Sequence, residues 1–169
     1  MIIFETERLL VRAYTADDFE DFYRLNSDEE VMRYIRPVKS RKDTHNFFQK
    51  ILTDYDALPG LGRWGMYLKA SGEFVGSFAV IPIEHSNKIQ LGYGLLKENW
   101  GKGYASESTE GGIGYAFTKL GLEEIAGVTF PENIASQKVL LKNGFVLYDT
   151  FFEDDQEMHL YMLRRKTDH

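Results

Sequence analysis

Apolar residues in the first third of the chain recur mainly at helical spacing. Phe19, Phe22 and Tyr23 lie three and four residues apart behind a capping-type sequence that begins at Thr15. The same arrangement recurs behind Ser40, whereas residues 8–12 alternate between polar and apolar like a strand. The pattern therefore predicts one strand and three helices, over residues 8–12, 15–26, 28–35 and 40–58.

Beyond residue 60 the pattern changes to alternation and short apolar runs. The turn residues Ser71 and Gly72 separate two such runs, which predicts an antiparallel meander of strands over 64–69, 74–83 and 88–96. The remaining chain predicts a helix, a strand, a helix and two strands, over 106–119, 124–130, 135–142, 145–152 and 157–165. Gly144 is expected to cap the second of these helices in a left-handed conformation. Together the elements predict one α+β domain that covers residues 1–169.

A glycine loop between a predicted strand and a predicted helix carries the clearest chemical signal. Gly101 and Gly103 let a ligand approach the unpaired amides of the helix N-terminus, which suits a pyrophosphate. A tight strand-to-helix turn would explain the same glycines. The spacing fits neither the dinucleotide pattern, because position 106 is serine, nor a Walker loop, so nicotinamide and nucleoside triphosphate sites are disfavoured.

A second block lies further along the chain, where residues 133–136 read N-x-x-S and residues 144–145 read G-F. In this order the two blocks resemble the GNAT superfamily of acetyl-coenzyme A-dependent N-acetyltransferases. The family's Q/R-x-x-G-x-G/A loop is matched by Trp100, Gly103 and Ala105, with tryptophan where glutamine or arginine is usual. The opening residues 5–12 resemble the ribosomal-protein alanine N-acetyltransferase-like branch.

The resemblance implies a mostly antiparallel mixed sheet flanked by helices. It also implies that strand 89–96 splays from strand 124–130 and that the pantetheine arm of acetyl-coenzyme A lies in the gap. Gly92 and Gly94 independently indicate a bulge or a closely approaching ligand in that strand. The residues implied to contact the coenzyme are Leu95, Leu96, Gly101, Lys102, Gly103, Tyr104, Ala105, Ser106 and Asn133.

The resemblance also implies an acid for the departing thiolate. Many family members carry a tyrosine four residues before the G-F corner, but this chain has Leu140 there. In the ribosomal-protein branch the serine of the N-x-x-S block takes this role, so Ser136 is the predicted acid. Ser136 could equally cap the helix or bind the coenzyme, and Asn133 could be the N-cap itself.

The general base is the least determined part of the predicted site. Members of the branch often carry a glutamate where this chain has Gln90, which cannot accept a proton. The acidic run that contains Glu153 and Asp155 is the other candidate, although such a run is also typical of a solvated turn. Tyr93 and Trp64 are expected either to line the acceptor pocket or to be core aromatics.

Composition narrows the remaining function classes. The net charge of −6 argues against a nucleic-acid partner, and the chain has no cysteine, which excludes disulfides and thiol nucleophiles. Its four histidines share no ligand spacing, so no metal is expected. No apolar run is long enough to span a membrane and none resembles a signal peptide, so a cytoplasmic location is expected.

The sequence thus predicts an acyltransferase that acts on an amine-bearing acceptor, either a peptide N-terminus or a small molecule such as a polyamine, an amino acid or an aminoglycoside. The protein is expected to be a monomer or a homodimer. A non-catalytic coenzyme A-binding module is the alternative, and Gln90 and Leu140 favour it.

Overall fold

The computed structural model describes residues 1–167. These residues form eight strands and five α-helices, which are joined by loops and short 3-10 turns. The strands are β1 (Ile2–Glu5), β2 (Leu9–Ala13), β3 (Gly62–Leu68), β4 (Phe74–Pro82), β5 (Ile89–Leu95), β6 (Glu124–Thr129), β7 (Val146–Glu153) and β8 (Gln156–Arg164). The helices are α1 (Phe19–Asn26), α2 (Glu29–Met32), α3 (Arg41–Ala57), α4 (Tyr104–Thr118) and α5 (Ile134–Lys142).

All eight strands join one sheet in the order β1-β2-β3-β4-β5-β6-β8-β7. Every neighbouring pair is antiparallel except β5 and β6, which are parallel. The β5–β6 ladder has only two register positions, Gln90 opposite Ala126 and Leu91 opposite Gly127. The two strands therefore separate after Leu91, and the expected splay is present in the sheet.

The two faces of the sheet bury different helices. One face packs against α4 and α5 through a core that includes Leu9, Trp64, Phe78 and Ile125, all 1% exposed or less. The other face packs against α1, α2 and α3 through a second core that includes Phe22 and Phe48. Burying each such side chain contributes about 1.5–3 kcal/mol, so the two cores hold the helices on opposite sides of the splay.

Close packing of α4 on the sheet depends on a glycine. A Cβ atom at Gly112 would lie 2.4 Å from Cζ of Phe78, and real Cβ atoms do not approach a neighbour so closely. The helix can therefore lie directly on β4 only because this position has no side chain. That contact sets the position of the α4 N-terminus relative to the strands.

The expected order of elements is confirmed, with local differences. The sequence pattern missed β1, which pairs with β2 and places Phe4 edge-on against Phe78. Helix α2 ends at Met32 rather than near 35, ahead of Pro37. Helix α4 begins at Tyr104 instead of 106, because Gly103 serves as its N-cap residue. Within residues 1–167, no helix is both long and apolar enough to cross a membrane.

Candidate active site

The glycine loop leads directly into the first turn of α4. Gly101 and Gly103 have φ of +76° and +84°, a left-handed conformation that strongly favours glycine. No side chain caps the helix, so the amides of its first turn are left for solvent or a ligand. A Cβ at Gly101 would meet no atom within 4 Å, so the loop surface is open. The helix dipole of this 15-residue helix favours an anion at the same place.

The other predicted residues of the loop surround this opening. Lys102 is exposed, Tyr104 is buried, and Ala105 is half-buried. The Ser106 hydroxyl accepts a hydrogen bond from Nδ2 of Asn143 at 3.3 Å, which ties α4 to the end of α5. Trp100, which replaces the usual glutamine or arginine, donates its indole N–H to the Leu95 carbonyl at 2.9 Å and so closes the loop onto β5.

An ion-pair network behind the loop was not found from the sequence. The Arg8 guanidinium donates to Oε1 of Glu107 at 2.7 Å and to the Lys102 carbonyl at 3.0 Å. Oε2 of Glu107 accepts the Arg8 backbone N–H at 2.9 Å and the Thr6 hydroxyl. Burial by itself would raise the pKa of Glu107, but these hydrogen bonds outweigh it and lower the pKa. The network holds the N-terminal segment, the loop and α4 together.

Where β5 separates from β6, one face of β5 carries glycines and therefore has no side chains. Gly92 and Gly94 share the face that carries α1 to α3, and a Cβ at Gly92 would meet no atom within 4 Å. Leu95 and Leu96, both implied coenzyme contacts, are buried. The Leu96 amide donates to the Val75 carbonyl at 2.9 Å, so it is already engaged within the protein.

On the opposite face, the N-terminus of α5 lies beside the splay. Oδ1 of Asn133 accepts the Ser136 backbone N–H at 3.2 Å, which makes Asn133 the N-cap of the helix. The Ser136 side chain is half-buried and faces the Tyr93 hydroxyl. Burial raises the pKa of Tyr93, and the Ser136 hydroxyl acts in the opposite direction. The hydroxyl groups of Ser136 and Tyr93 are therefore neighbours. Tyr93 lies two residues beyond Leu91, the last residue of β5 that pairs with β6.

The candidates for the general base lie at the end of β7 and in the turn after it. Gln90, at the position where the branch often carries a glutamate, cannot accept a proton; it is half-buried and pairs with Ala126, one residue before the last β5–β6 pair. Glu153 ends β7, and Asp154 and Asp155 form the turn with φ of +49° and +62°. All three acidic residues of this turn are exposed.

A groove of about 530 Å³ opens on the side of the sheet that carries α1 to α3. It lies between the 32–38 segment, Phe130 at the end of β6, and Gln156, the residue after the acidic turn. Trp64 is not part of it. That residue is 1% exposed and packs edge-on against Tyr115 under α4, so of the two alternatives expected for Trp64 the structure has the core aromatic. Its position in β3 turns it to the α4 face.

Among residues 1–167, no group of three or more histidine or acidic side chains could hold a metal ion. The features that the fold does bring together are a helix N-terminus without a side-chain cap, a gap between two parallel strands, a pair of hydroxyl groups and a groove on the opposite face.

Comparisons with known proteins agree with this geometry. A family model described as Acetyltransferase (GNAT) domain matches residues 8–146. YoaA, an uncharacterised N-acetyltransferase of Bacillus subtilis strain 168, is 33% identical over 147 residues, 85% of this chain and 82% of YoaA. A GNAT-family acetyltransferase from Bacillus anthracis superposes with a TM-score of 0.83 at 25% identity, over 97% of this chain and 98% of that one.

A further solved structure shares the fold at lower identity. Spermidine N-acetyltransferase from Vibrio cholerae, in complex with CoA and spermine, superposes with a TM-score of 0.77 at 21% identity. The superposition covers 92% of this chain and 95% of that one.

Proposed function

Because the chain belongs to the GNAT acetyltransferase family, we propose that it transfers an acetyl group from acetyl-coenzyme A to a primary amine. The observation that carries the proposal is the open glycine loop at the start of α4, next to strands that part after Leu91. The exposed amides there suit a pyrophosphate. Two acceptor classes fit this proposal: a protein N-terminus, as the resemblance of residues 5–12 to the ribosomal-protein alanine N-acetyltransferase-like branch implies, and a small-molecule amine.

The residues present fit the coenzyme at the loop. Gly101 and Gly103 would present their backbone to the phosphates, and the Arg8 guanidinium lies next to the loop, 3.3 Å from where a Cβ of Gly103 would stand. Acetyl-coenzyme A supplies a thioester whose carbonyl accepts the amine and whose thiolate departs. The splay between β5 and β6 gives its arm a place where no ladder hydrogen bonds need to be broken.

We assign the proton for the departing thiolate to the Ser136 hydroxyl. Tyr93 stands beside it, and its phenol is protonated at neutral pH, so the two hydroxyl groups can share a hydrogen bond. On the acceptor side, Glu153 or Asp155 is proposed to take the amine proton through water or to hold the ammonium group as it approaches.

The first experiment tests coenzyme binding with two matched glycine variants. Gly103→Val places a side chain in the proposed phosphate cradle, and Gly72→Val introduces the same change at φ of +77° in a distant open turn. Both variants carry comparable backbone strain, about 1–2 kcal/mol, so their melting temperatures should fall alike. Only Gly103→Val should lose binding of coenzyme A, measured by calorimetry. Equal affinity of the two variants would refute the assignment of the loop.

The second experiment tests turnover. The wild-type protein is mixed with acetyl-coenzyme A and a panel of peptides, polyamines, amino acids and aminoglycosides, and free thiol release is measured. Binding of coenzyme A without acetylation of any amine would favour the non-catalytic module, for which Gln90 and Leu140 are the supporting departures from the family pattern.

A further inference from the structure

Two arginines on the acceptor side of the sheet have no acidic partner. Within residues 1–167, neither Arg36 nor Arg63 lies within 4.0 Å of a carboxylate, although both are only partly exposed. The comparably enclosed Arg12 is paired with Asp18 at 2.9 Å. Arg24 and Arg33 also lack partners, but they are exposed and water solvates them. Partial burial of an uncompensated charge is costly, so this pair requires an explanation.

Both guanidinium groups lie within 5.5 Å of the same aromatic ring. Their Cζ atoms lie 5.0 Å and 5.5 Å from the centroid of Phe47, and Nζ of Lys39 lies 5.2 Å from the same centroid. Nη1 of Arg36 donates to Oδ1 of Asn26 at 2.6 Å, which fixes its direction. Burial, together with repulsion from Arg63, lowers the pKa of Arg36 to about 10. Nothing among these neighbours neutralises the cluster.

One member of the cluster, Arg36, lines the groove, and so does the carboxylate-bearing residue Glu29. Arg63 lies on the same face of the sheet but outside the groove lining. Arg63 stands opposite Ala79 on β4, and Ala79 stands opposite Gly92 on β5, so a row of small residues leads from Arg63 to the strand edge. Two strand spacings make this row about 10 Å long. Open space in front of Gly92 continues it to the point where the strands part.

We propose that Arg36 and Arg63 bind a carboxylate group of the acceptor, so that the preferred acceptor is a small molecule carrying both a primary amine and a carboxylate. The inference rests on the proposed function and deepens it. A guanidinium group can donate two parallel hydrogen bonds to one carboxylate. The bound anion would also relieve the repulsion between the two cations. A groove of this volume suits a molecule of amino-acid to short-peptide size. A polyamine would place further positive charge against the cluster.

The test compares acceptors that differ only in this charge. Free α-, β- and γ-amino acids are each paired with their carboxamides, and dipeptides with an aspartate side chain are paired with their asparagine counterparts. We expect kcat/KM of the wild-type protein to be at least about 10-fold higher for the carboxylate member of a pair. Preference confined to the free amino acids identifies the carboxylate of a small molecule. Preference confined to the dipeptides overturns the small-molecule part of the proposal.

Variants then assign the preference to the cluster. Arg63→Gln and Arg36→Gln should reduce the carboxylate-to-carboxamide ratio by about 10- to 100-fold, the range for a charge-assisted pair, with little change for the carboxamide. Arg63→Lys keeps the positive charge but lacks the paired N–H donors of a guanidinium group. It should therefore retain part of the carboxylate-to-carboxamide ratio. Arg24→Gln, an exposed arginine of α1, is the control and should keep the wild-type ratio.

Three outcomes would overturn the inference. One is acetylation of amines with no preference for the carboxylate member, and another is a wild-type ratio in both glutamine variants. The third is a rise in KM for acetyl-coenzyme A instead of the acceptor, which would assign the arginines to a coenzyme phosphate. Failure of every amine in every class would instead contradict the proposed function itself.

Discussion

Replacing Glu107 with glutamine should measure how strongly the N-terminal segment is fastened to the coenzyme loop. The carboxylate accepts three hydrogen bonds, two from Arg8 and one from Thr6, and its side chain is 19% exposed. A glutamine carbonyl can keep the two bonds that Oε2 accepts. Its NH₂ group, however, would face the Arg8 Nε–H, donor against donor, and the ion pair is lost.

The size of the effect follows from that loss. A hydrogen bond to a charged group contributes about 1.5–3 kcal/mol when it is buried. The Arg8 side chain is 44% exposed, so solvent screens the pair and the lower part of the range applies, about 1.5 kcal/mol. For a domain of this size, that loss corresponds to a melting temperature about 3–6 °C lower. Glu110→Gln is the control, because Glu110 is exposed on the same helix.

The stability difference between Glu107→Gln and its control should also depend on pH. The pKa of Glu107 is lowered in the folded protein, so its contribution is complete above the usual value of 4.5 and is lost as the pH falls through the folded value. The difference in thermal unfolding between Glu107→Gln and Glu110→Gln should therefore be largest at pH 7 and should shrink as the pH falls below 4.5, through the folded pKa of Glu107. Equal melting temperatures at pH 7, or a gap that persists in acid, would refute the stabilising role of the network.

Two further predictions concern catalysis. Ser136→Ala should lower kcat by about 100-fold with little change in coenzyme A affinity, because the thiolate loses its proton donor; Ser86→Ala, in an exposed turn, is the control. Loss of coenzyme binding in Ser136→Ala would reassign the hydroxyl to the coenzyme. For the acidic turn, kcat/KM should rise with pH in the wild type, and Glu153→Gln or Asp155→Asn should lower it and flatten the profile. If both variants keep the wild-type value and profile, the turn is only solvated and water alone removes the amine proton.

Local backbone chemistry made much of the fold and of the coenzyme loop predictable from the sequence. Capping residues, apolar periodicity and turn glycines act within a few residues, so their signals survive in the sequence. Gly103, for example, has the positive φ that a glycine loop before a helix requires, and Gly144 has φ of +92° at the end of α5. The order of the elements followed from the same local signals, whereas the splay between the parallel strands was implied only by the family resemblance.

Tertiary packing decided which distant side chains meet. Arg8 and Glu107 are 99 residues apart in sequence, and the packing of β1 against α4 brings them together. The sequence alone does not distinguish whether Trp64 lines a pocket or belongs to the core. The strand register, which directs its side chain towards Tyr115, decides for the core. Arg36 and Arg63 are unremarkable charges in the sequence. They are distinguished by burial around Phe47 with no carboxylate partner among residues 1–167. The cost of an uncompensated charge depends on its three-dimensional surroundings and not on its neighbours in the chain.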